Sequence, residues 1–335
     1  MNLEEFKLKY QKQPVIEYSN SVSDTPLVSV CVQTYQHVNY IKECLEGILM
    51  QKTSFPFEIL LGEDASTDGT REVCLEYAKK YPDKIKLFLH HRENNIKING
   101  SATGRFNLLN NLYSANGNYI ALCEGDDYWT DPLKLQKQVD FLEKNEDYVI
   151  CGHDRRIVDE FNNVIIETGV RNLNKQGLLT LTVVFRNHLF DNIFFNTFIK
   201  VANGDSFLFL YFEQFGKTIL LNFKGANYRI HSGGIWSSTN RIERYEMGIN
   251  TYTHIVNYFM ITKNIPLLKK AYYNLANIEI DYGYYLMENS FYKKAFIQFL
   301  KYNKTFISNN LNKYFVLLIK INILYIITLI KKIIG

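Results

Sequence analysis

Short apolar runs alternate with segments of helical spacing along the first half of the chain. The apolar runs, which predict buried strands, are residues 27–33, 57–62, 85–90 and 118–123. Apolar residues recur every three or four positions, and so predict helices, over residues 39–51, 71–80, 102–115 and 131–144. Because strands alternate with helices, the pattern favours βαβ units and an α/β fold with a mostly parallel sheet flanked by helices.

The second half of the chain has a different pattern. Residues 148–151 predict one more strand, residues 155–235 are mixed, and the spacing is helical from Tyr245 onward. Within this helical part, residues 271–301 predict antiparallel helical hairpins. We therefore divide the chain into a lead-in over 1–25, an α/β domain over 26–240 and an α-helical C-terminal region over 241–335.

The composition is that of a folded cytosolic protein. Hydrophobic residues make up 47% of the 335 residues, which suits a globular core. The five cysteines are odd in number and show no CxxC spacing, so we expect them to be reduced residues of the core. Residues 1–24 are polar and contain no apolar signal-peptide core. We therefore predict a cytoplasmic location.

The C-terminal tail is basic and apolar. The chain has a formal charge of +4, and eight lysines but no Arg, Asp or Glu follow Glu288. Residues 315–330 are almost entirely apolar, yet they fall short of the roughly 20 residues that span a bilayer. We expect residues 311–335 either to lie on an anionic membrane surface, at the inner face of the plasma membrane, or to pack on the protein. Because the tail lacks arginine and is strongly apolar, we expect no nucleic-acid partner.

Acidic residues follow two of the predicted strands. Asp64 follows the second strand, and Glu124, Asp126 and Asp127 follow the fourth. Ligands of parallel sheets bind beyond the carboxyl ends of the strands, so both groups point to one site. Three carboxylates in four residues repel one another unless a cation lies between them, and oxygen ligands suit Mg²⁺ or Mn²⁺. The alternative is a solvated acidic turn, and Asp68, near the first group, has the setting of a loop or cap residue.

Three linked motifs make the chain similar to family 2 glycosyltransferases with the GT-A fold. They are VSVCVQTY at 28–35, ILLGEDASTDGT at 59–70 and GNYIALCEGDDYW at 117–129. The resemblance in order and spacing covers residues 26–240. The chain departs from the family pattern at Glu63 and at Glu124, which opens the DxD motif. Both stand where an aspartate is usual, and both keep the charge.

The resemblance implies a nucleotide-sugar donor, with UDP-sugars as the first expectation. It implies that Thr34 and Tyr35 line the nucleotide pocket and that Asp64 binds the base. It also implies that Arg105 is the basic residue near the nucleotide. These four residues come from three separate segments of the predicted α/β domain.

The resemblance also implies a divalent cation, Mn²⁺ or Mg²⁺, with Asp126 as its main ligand. Glu124 and Asp127 are implied as partners of the ribose, the metal or the sugar. A later loop resembles the YRxH motif of the family, which implies that Arg229 and His231 contact the diphosphate or the metal. A buried structural role is the alternative for His231.

Asp205 resembles the catalytic carboxylate of the family. An inverting transfer needs a base that takes the proton of the acceptor hydroxyl, here on a saccharide or lipid-linked acceptor in surface-polysaccharide synthesis. A helix N-cap would look the same in sequence. Two other functions stay open, a non-catalytic nucleotide-sugar-binding scaffold and a sugar nucleotidyltransferase. Residues 32–36 lack the glycine-rich phosphate loop that is usual in nucleotidyltransferases.

Overall fold

The computed structural model of the chain falls into two compact units. The described residues are 2–98, 100–167, 177–187, 190–234, 239–291, 293–295, 297–298 and 301. The first unit comprises Met1–Ile199 and Leu208–Ser238, and the second comprises Lys200–Phe207 and Thr239–Gly335. The predicted membrane-surface segment, residues 311–335, lies outside the described residues.

The first unit is built on a sheet of ten strands, counted over the described residues. The strands are β1 (Ile16–Glu17), β2 (Val28–Thr34), β3 (Phe57–Glu63), β4 (Ile85–Leu89), β7 (Tyr119–Glu124), β8 (Tyr128–Trp129), β9 (Tyr148–Val158), β10 (Val164–Glu167), β11 (Val184–Arg186) and β12 (Lys217–Arg229). Their order is β1-β4-β3-β2-β7-β11-β9-β12-β8, and β10 pairs with β9. A separate small hairpin joins β5 (Lys97–Ile98) to β6 (Ser101–Ala102).

Strand direction confirms the predicted parallel sheet. Neighbouring strands run parallel from β4 through β3 and β2 to β7, and β9 also runs parallel to β12. The short strand β11 is antiparallel to both β7 and β9 and joins the two parallel parts. All residues of β3 are buried, and Gln33 is the one residue of β2 that is not, which explains why both strands read as continuous apolar runs.

Helices flank this sheet. They are α1 (Leu3–Tyr10), α2 (Ile41–Leu49), α3 (Thr70–Lys80), α4 (Arg105–Ser114), α5 (Lys134–Lys144) and α6 (Asn192–Phe198). In α2 the buried residues Ile41, Cys44, Leu45 and Ile48 follow the i, i+3, i+4, i+7 spacing that predicted the helix. The lead-in contributes α1, whose fully buried Phe6 packs its ring 4.8 Å from that of Phe106.

The second unit is helical, as predicted for the C-terminal region. Helices α8 (Arg241–Ile261) and α9 (Ile265–Glu288) pack together, with the rings of Tyr245 and Tyr282 stacked 5.2 Å apart. A reciprocal capping box between Asn240 and Glu243 begins α8. Helix α7 (Gly204–Phe212) begins in the second unit. In the part of the chain that the structure describes, no helix is long and apolar enough to cross a membrane.

Candidate active site

The candidate site lies at the carboxyl end of β2, where the strand order reverses. The chain passes from β2 to β3 and β4 on one side, and β7 lies on the other side of β2. The N–H of Asp64 donates to the carbonyl oxygen of Thr34 at 3.1 Å, and the N–H of Gly125 donates to that of Gln33 at 2.9 Å. Both acidic segments therefore flank the end of β2, at the kind of switch point where open α/β sheets bind ligands.

One side of the site is a cluster of two histidines and one carboxylate. Asp126 lies in the turn between β7 and β8, His37 in the loop after β2, and His231 just beyond β12. The Nε2 atom of His231 is 3.0 Å from Oδ2 of Asp126, and Nε2 of His37 is 4.0 Å from the same oxygen. The structure thus brings together Asp126 and His231, the two residues predicted as metal ligands, and adds His37.

The chemistry of this cluster fits a divalent cation. The ligand atoms of His37, Asp126 and His231 all lie within 4.8 Å of one another. Imidazole nitrogen and carboxylate oxygen are ordinary ligands of divalent transition metals. Burial opposes ionisation of Asp126, but the hydrogen bond with His231 and the electrostatic interaction with the nearby His37 lower its pKa. Burial lowers the pKa of His37, which favours the neutral imidazole that binds metals.

Arg229 connects the acidic turn, residues 124–127, to other parts of the site. Its main-chain N–H donates to Oδ1 of Asp127 at 2.8 Å, and its Nε donates to the carbonyl oxygen of Asp126 at 2.9 Å. Its Nη2 donates to Oε2 of Glu43 on α2 at 2.6 Å. The guanidinium carbon also lies 4.7 Å from the ring centroid of Tyr40 and 5.0 Å from that of Tyr128. These contacts fix the orientation of Arg229 and, through it, the shape of the turn.

The other two carboxylates of the segment differ from Asp126 in their surroundings. Asp127 is 3% exposed, and burial, together with the charges of Asp126 and Glu124, raises its pKa. Its carboxylate accepts the Arg229 N–H, so it joins the turn to β12. Glu124 is half-buried, and its carbonyl oxygen accepts the N–H of Asp127 at 3.0 Å.

The other side of the site is a small group around Asp64. Nη1 of Arg92 donates to Oδ2 of Asp64 at 2.6 Å, and the Arg92 guanidinium carbon lies 3.8 Å from the ring centroid of Tyr35. Asp64 is 2% exposed, and burial, only partly offset by Arg92, raises its pKa to about 6. Tyr35 is 38% exposed. A carboxylate beside an accessible aromatic face can bind the polar edge and the flat face of a planar base.

Sequence reasoning missed several residues of this site. Arg92 begins a short 3₁₀ turn directly after β4, and the rule that strand ends carry ligands would have found it if applied to that strand. His37 lies in the loop after β2, where the same rule applies. Glu43 and Tyr40 belong to α2 and its N-cap, and no motif in the chain marks them.

The remaining predicted residues lie elsewhere. Arg105 begins α4, is 7% exposed, and places its guanidinium carbon 4.4 Å from the ring centroid of Phe198. Asp205 belongs to the second unit, inside the first turn of α7, where its exposed carboxylate accepts the N–H of Ser206 at 2.8 Å. Its role as a base stays a prediction. Asp68 lies in the predicted loop, one residue before Gly69, the N-cap of α3, and it accepts the N–H of Thr70 at 3.0 Å and that of Val38 at 3.0 Å.

A mostly parallel sheet defines an α/β domain here, with the His37, Asp126 and His231 cluster on one side of its switch point and the Asp64 group on the other. The family model described as "Glycosyl transferase family 2" matches residues 29–207. The chain therefore belongs to glycosyl transferase family 2, and the predicted family is confirmed.

Curated proteins are similar to part of this chain. An uncharacterized protein of Mycobacterium tuberculosis strain H37Rv is 36% identical over 222 residues, which cover 63% of this chain and 61% of the relative. The chain thus spans about three fifths of the length of that relative. The putative glycosyltransferase EpsE of Bacillus subtilis is 39% identical over 137 residues, which cover 41% of this chain and 45% of EpsE.

Solved structures confirm the predicted GT-A fold. S. aureus TarS residues 1–349, in complex with UDP-GlcNAc, matches with a TM-score of 0.54 and 19% identity, over 80% of this chain and 75% of TarS. The mannosyltransferase PcManGT of Pyrobaculum calidifontis, in complex with GDP-Man and Mn²⁺, matches with a TM-score of 0.50 and 16% identity, over 89% of this chain and 81% of PcManGT.

Proposed function

We propose that this chain transfers a sugar from a nucleotide-diphosphate donor, a UDP-sugar in the first instance, with inversion at the sugar carbon. The proposed acceptor is a saccharide or lipid-linked saccharide of surface-polysaccharide synthesis. The names of relatives support this acceptor class, since one of them is the putative teichuronic acid biosynthesis glycosyltransferase TuaG of Bacillus subtilis. The solved neighbours TarS and PcManGT hold UDP-GlcNAc and GDP-Man, which supports the donor class.

One observation carries the proposal. The group around Asp64 and the cluster around Asp126 are joined through the end of β2. The carbonyl oxygen of Thr34 accepts the N–H of Asp64. The side-chain hydroxyl of Thr34 lies 3.3 Å from Nδ1 of His37. A nucleoside diphosphate carries its base at one end and its charge at the other. Asp64 and Tyr35 suit the base, and the cluster around Asp126 suits the diphosphate.

The proposed mechanism assigns separate tasks to the residues of the site. Asp64 accepts a hydrogen bond from the base, and the Tyr35 ring stacks on it. Asp126 and His231 would hold the cation, whose positive charge would stabilise the diphosphate as the leaving group. Arg229 holds the acidic turn in place through its hydrogen bonds to Asp126 and Asp127. Asp205 is proposed, on the family resemblance, to take the proton of the acceptor hydroxyl during attack on the sugar.

The test separates a transferase from a non-catalytic nucleotide-sugar-binding scaffold. The purified chain is screened with UDP-, GDP- and dTDP-sugars and Mn²⁺ for donor hydrolysis and for thermal stabilisation, since a bound ligand raises stability by mass action. We expect a donor that stabilises the chain and is slowly hydrolysed. Asp205→Asn should abolish turnover and keep metal-dependent nucleotide binding, with Asp205→Glu as the charge-conserving control. Stabilisation by a donor without hydrolysis or transfer under any condition would favour the scaffold.

Contact with an anionic membrane surface through residues 311–335 is a proposal that rests on sequence alone. Removal of the chain after Asn310 should then release the protein from vesicles that contain anionic lipid. Unchanged vesicle binding after truncation would contradict it.

A further inference from the structure

His37 lies beside the two residues already proposed to hold the cation. Its Nε2 atom is 4.0 Å from Oδ2 of Asp126, on which Nε2 of His231 also converges at 3.0 Å. Two atoms bound to one ion at about 2.1 Å lie about 3 to 4.2 Å apart, depending on the angle between them. The separations of 3.0 Å and 4.0 Å therefore allow His231 and His37 each to bind the same ion as Asp126 without movement of the main chain.

The hydroxyl of Thr34 orients the His37 ring. It lies 3.3 Å from Nδ1, which leaves Nε2 directed at Asp126. When an imidazole binds a metal through Nε2, its proton is on Nδ1, and a hydrogen bond from that N–H fixes the ring orientation and the tautomer. Thr34 is 2% exposed and provides the acceptor that such an arrangement needs.

The main chain of His37 is also anchored. Its N–H donates to Oγ1 of Thr70 at 2.8 Å, and that hydroxyl donates to Oδ1 of Asp68 at 2.6 Å. Oδ2 of Asp68 accepts the next N–H of the loop, that of Val38, at 3.0 Å. The loop residue Asp68 therefore holds the segment that carries His37.

Gly125 leaves the room that the Thr34–His37 pair occupies. A Cβ atom at position 125 would lie 2.6 Å from Oγ1 of Thr34 and 2.9 Å from Nδ1 of His37, closer than real Cβ contacts allow. The glycine between Glu124 and Asp126 thus has a steric reason: it lets an imidazole come close to the acidic segment.

We propose that His37 is a third protein ligand of the divalent cation, so that His37, His231 and Asp126 form a two-histidine, one-carboxylate site. The inference rests on the cation of the proposed function and goes beyond the carboxylate and histidine implied by the family resemblance. Imidazole nitrogen suits Co²⁺ and Zn²⁺ better than Mg²⁺, which prefers oxygen, and Mn²⁺ accepts ligands of both kinds. Three protein ligands leave the rest of the coordination shell to the phosphates of the donor.

Pulsed electron paramagnetic resonance of Mn²⁺ bound to the whole 335-residue chain tests this ligand set directly. The nitrogen modulation should show two coordinated imidazoles in the wild type and one in His37→Gln. We also expect His37→Gln to weaken Mn²⁺ binding at least tenfold and Mg²⁺ binding much less. The wild-type spectrum needs no variant, so the test stands even if a variant folds poorly.

Two controls separate this inference from the proposed function. His254→Gln, in α8 of the second unit, should leave the two-imidazole spectrum unchanged. Asp126→Asn should weaken Mn²⁺ binding strongly. A single imidazole in the wild type, lost in His231→Gln and kept in His37→Gln, would overturn the role of His37 and leave the proposed transferase intact. Two imidazoles in a protein that transfers no sugar would support the ligand set while the proposed function fails.

Discussion

The Nε atom of Arg229 donates a hydrogen bond to the carbonyl oxygen of Asp126 at 2.9 Å, so the guanidinium holds the main chain of the residue proposed to bind the cation. The same guanidinium pairs with Glu43, whose side chain is 38% exposed, while the arginine side chain is 2% exposed. The planar guanidinium of arginine donates hydrogen bonds to two partners at once in a fixed geometry, which the ammonium group of lysine cannot do. The pair therefore braces the acidic turn from the side of α2.

We predict that Arg229→Lys and Glu43→Gln each weaken binding of UDP with Mn²⁺, and that their effects are less than additive. Loss of a residue that orients a metal ligand costs about tenfold or more in affinity. Titration calorimetry with UDP and Mn²⁺ on both single variants and the double variant measures the coupling.

Arg156→Lys is the matched control for this cycle, because Arg156 pairs with Glu167 at 3.0 Å on the surface and should not affect binding. Fully additive losses in the double variant would contradict a shared bracing role. They would favour direct contact of Arg229 with the diphosphate, as the family resemblance implies.

Asp64→Asn should weaken UDP binding and leave binding of Mn²⁺ alone unchanged. A hydrogen bond to a charged partner contributes about 1.5 to 3 kcal/mol, so the expected loss in UDP affinity is roughly tenfold to a hundredfold. An equal loss of affinity for Mn²⁺ without nucleotide would show that the variant disturbs the whole site at the carboxyl end of β2, and not only the group around Asp64.

The raised pKa of Asp64, about 6, gives this prediction a pH dependence. Below pH 6 the carboxyl group is protonated and ceases to be a purely accepting partner. UDP affinity of the wild type should therefore fall, relative to Asp64→Asn, as pH drops from 7.5 to 5. Because the titration of UDP is common to both proteins, it cancels in the ratio. A ratio that stays constant over this range would refute the base-binding role.

The sequence predicted the part of the fold that depends on hydrophobic periodicity. The strands β2, β3, β4 and β7 lie within one residue of the apolar runs, because a strand buried on both faces has to be apolar along its length. The prediction of a strand over 148–151 was too short, since β9 continues to Val158. The rest of β9 contains His153 and Asp154, which are polar but only 1% and 4% exposed. Because buried polar residues interrupt the apolar run, the hydropathy pattern does not reveal this part of the strand.

The candidate site was predictable only where one motif or one strand end carries it. Asp64 and Asp126 follow apolar runs and are visible in sequence. Glu43 is 186 residues from Arg229, and the two side chains meet because α2 packs against β8, the strand that pairs with β12. Arg92 and His37 follow strand ends, so the same rule could have placed them near the site, but their pairing with Asp64 and Asp126 is visible only in the fold.

A buried lysine outside the site has a separate effect on stability. Lys134, at the start of α5, is fully buried, with Nζ 3.9 Å from the ring centroid of Trp129. Nζ has no hydrogen-bond partner among the described residues. Burial lowers its pKa to about 7 from 10.5. Between these pH values the unfolded chain binds the proton more tightly, so this group makes the folded state more stable as pH rises.

We predict that Lys134→Met raises the free energy of unfolding at pH 6.5 by about 1 to 4 kcal/mol, because a charged group no longer has to be buried. The gain should shrink toward pH 9, where the wild-type amine is already neutral in the folded state. Urea unfolding at both pH values measures it. Lys137→Met, on the same helix but 42% exposed and paired with Asp131, is the control and should show little gain at either pH. Equal gains for Lys134→Met at pH 6.5 and pH 9 would mean that packing, and not the buried charge, sets the cost of Lys134.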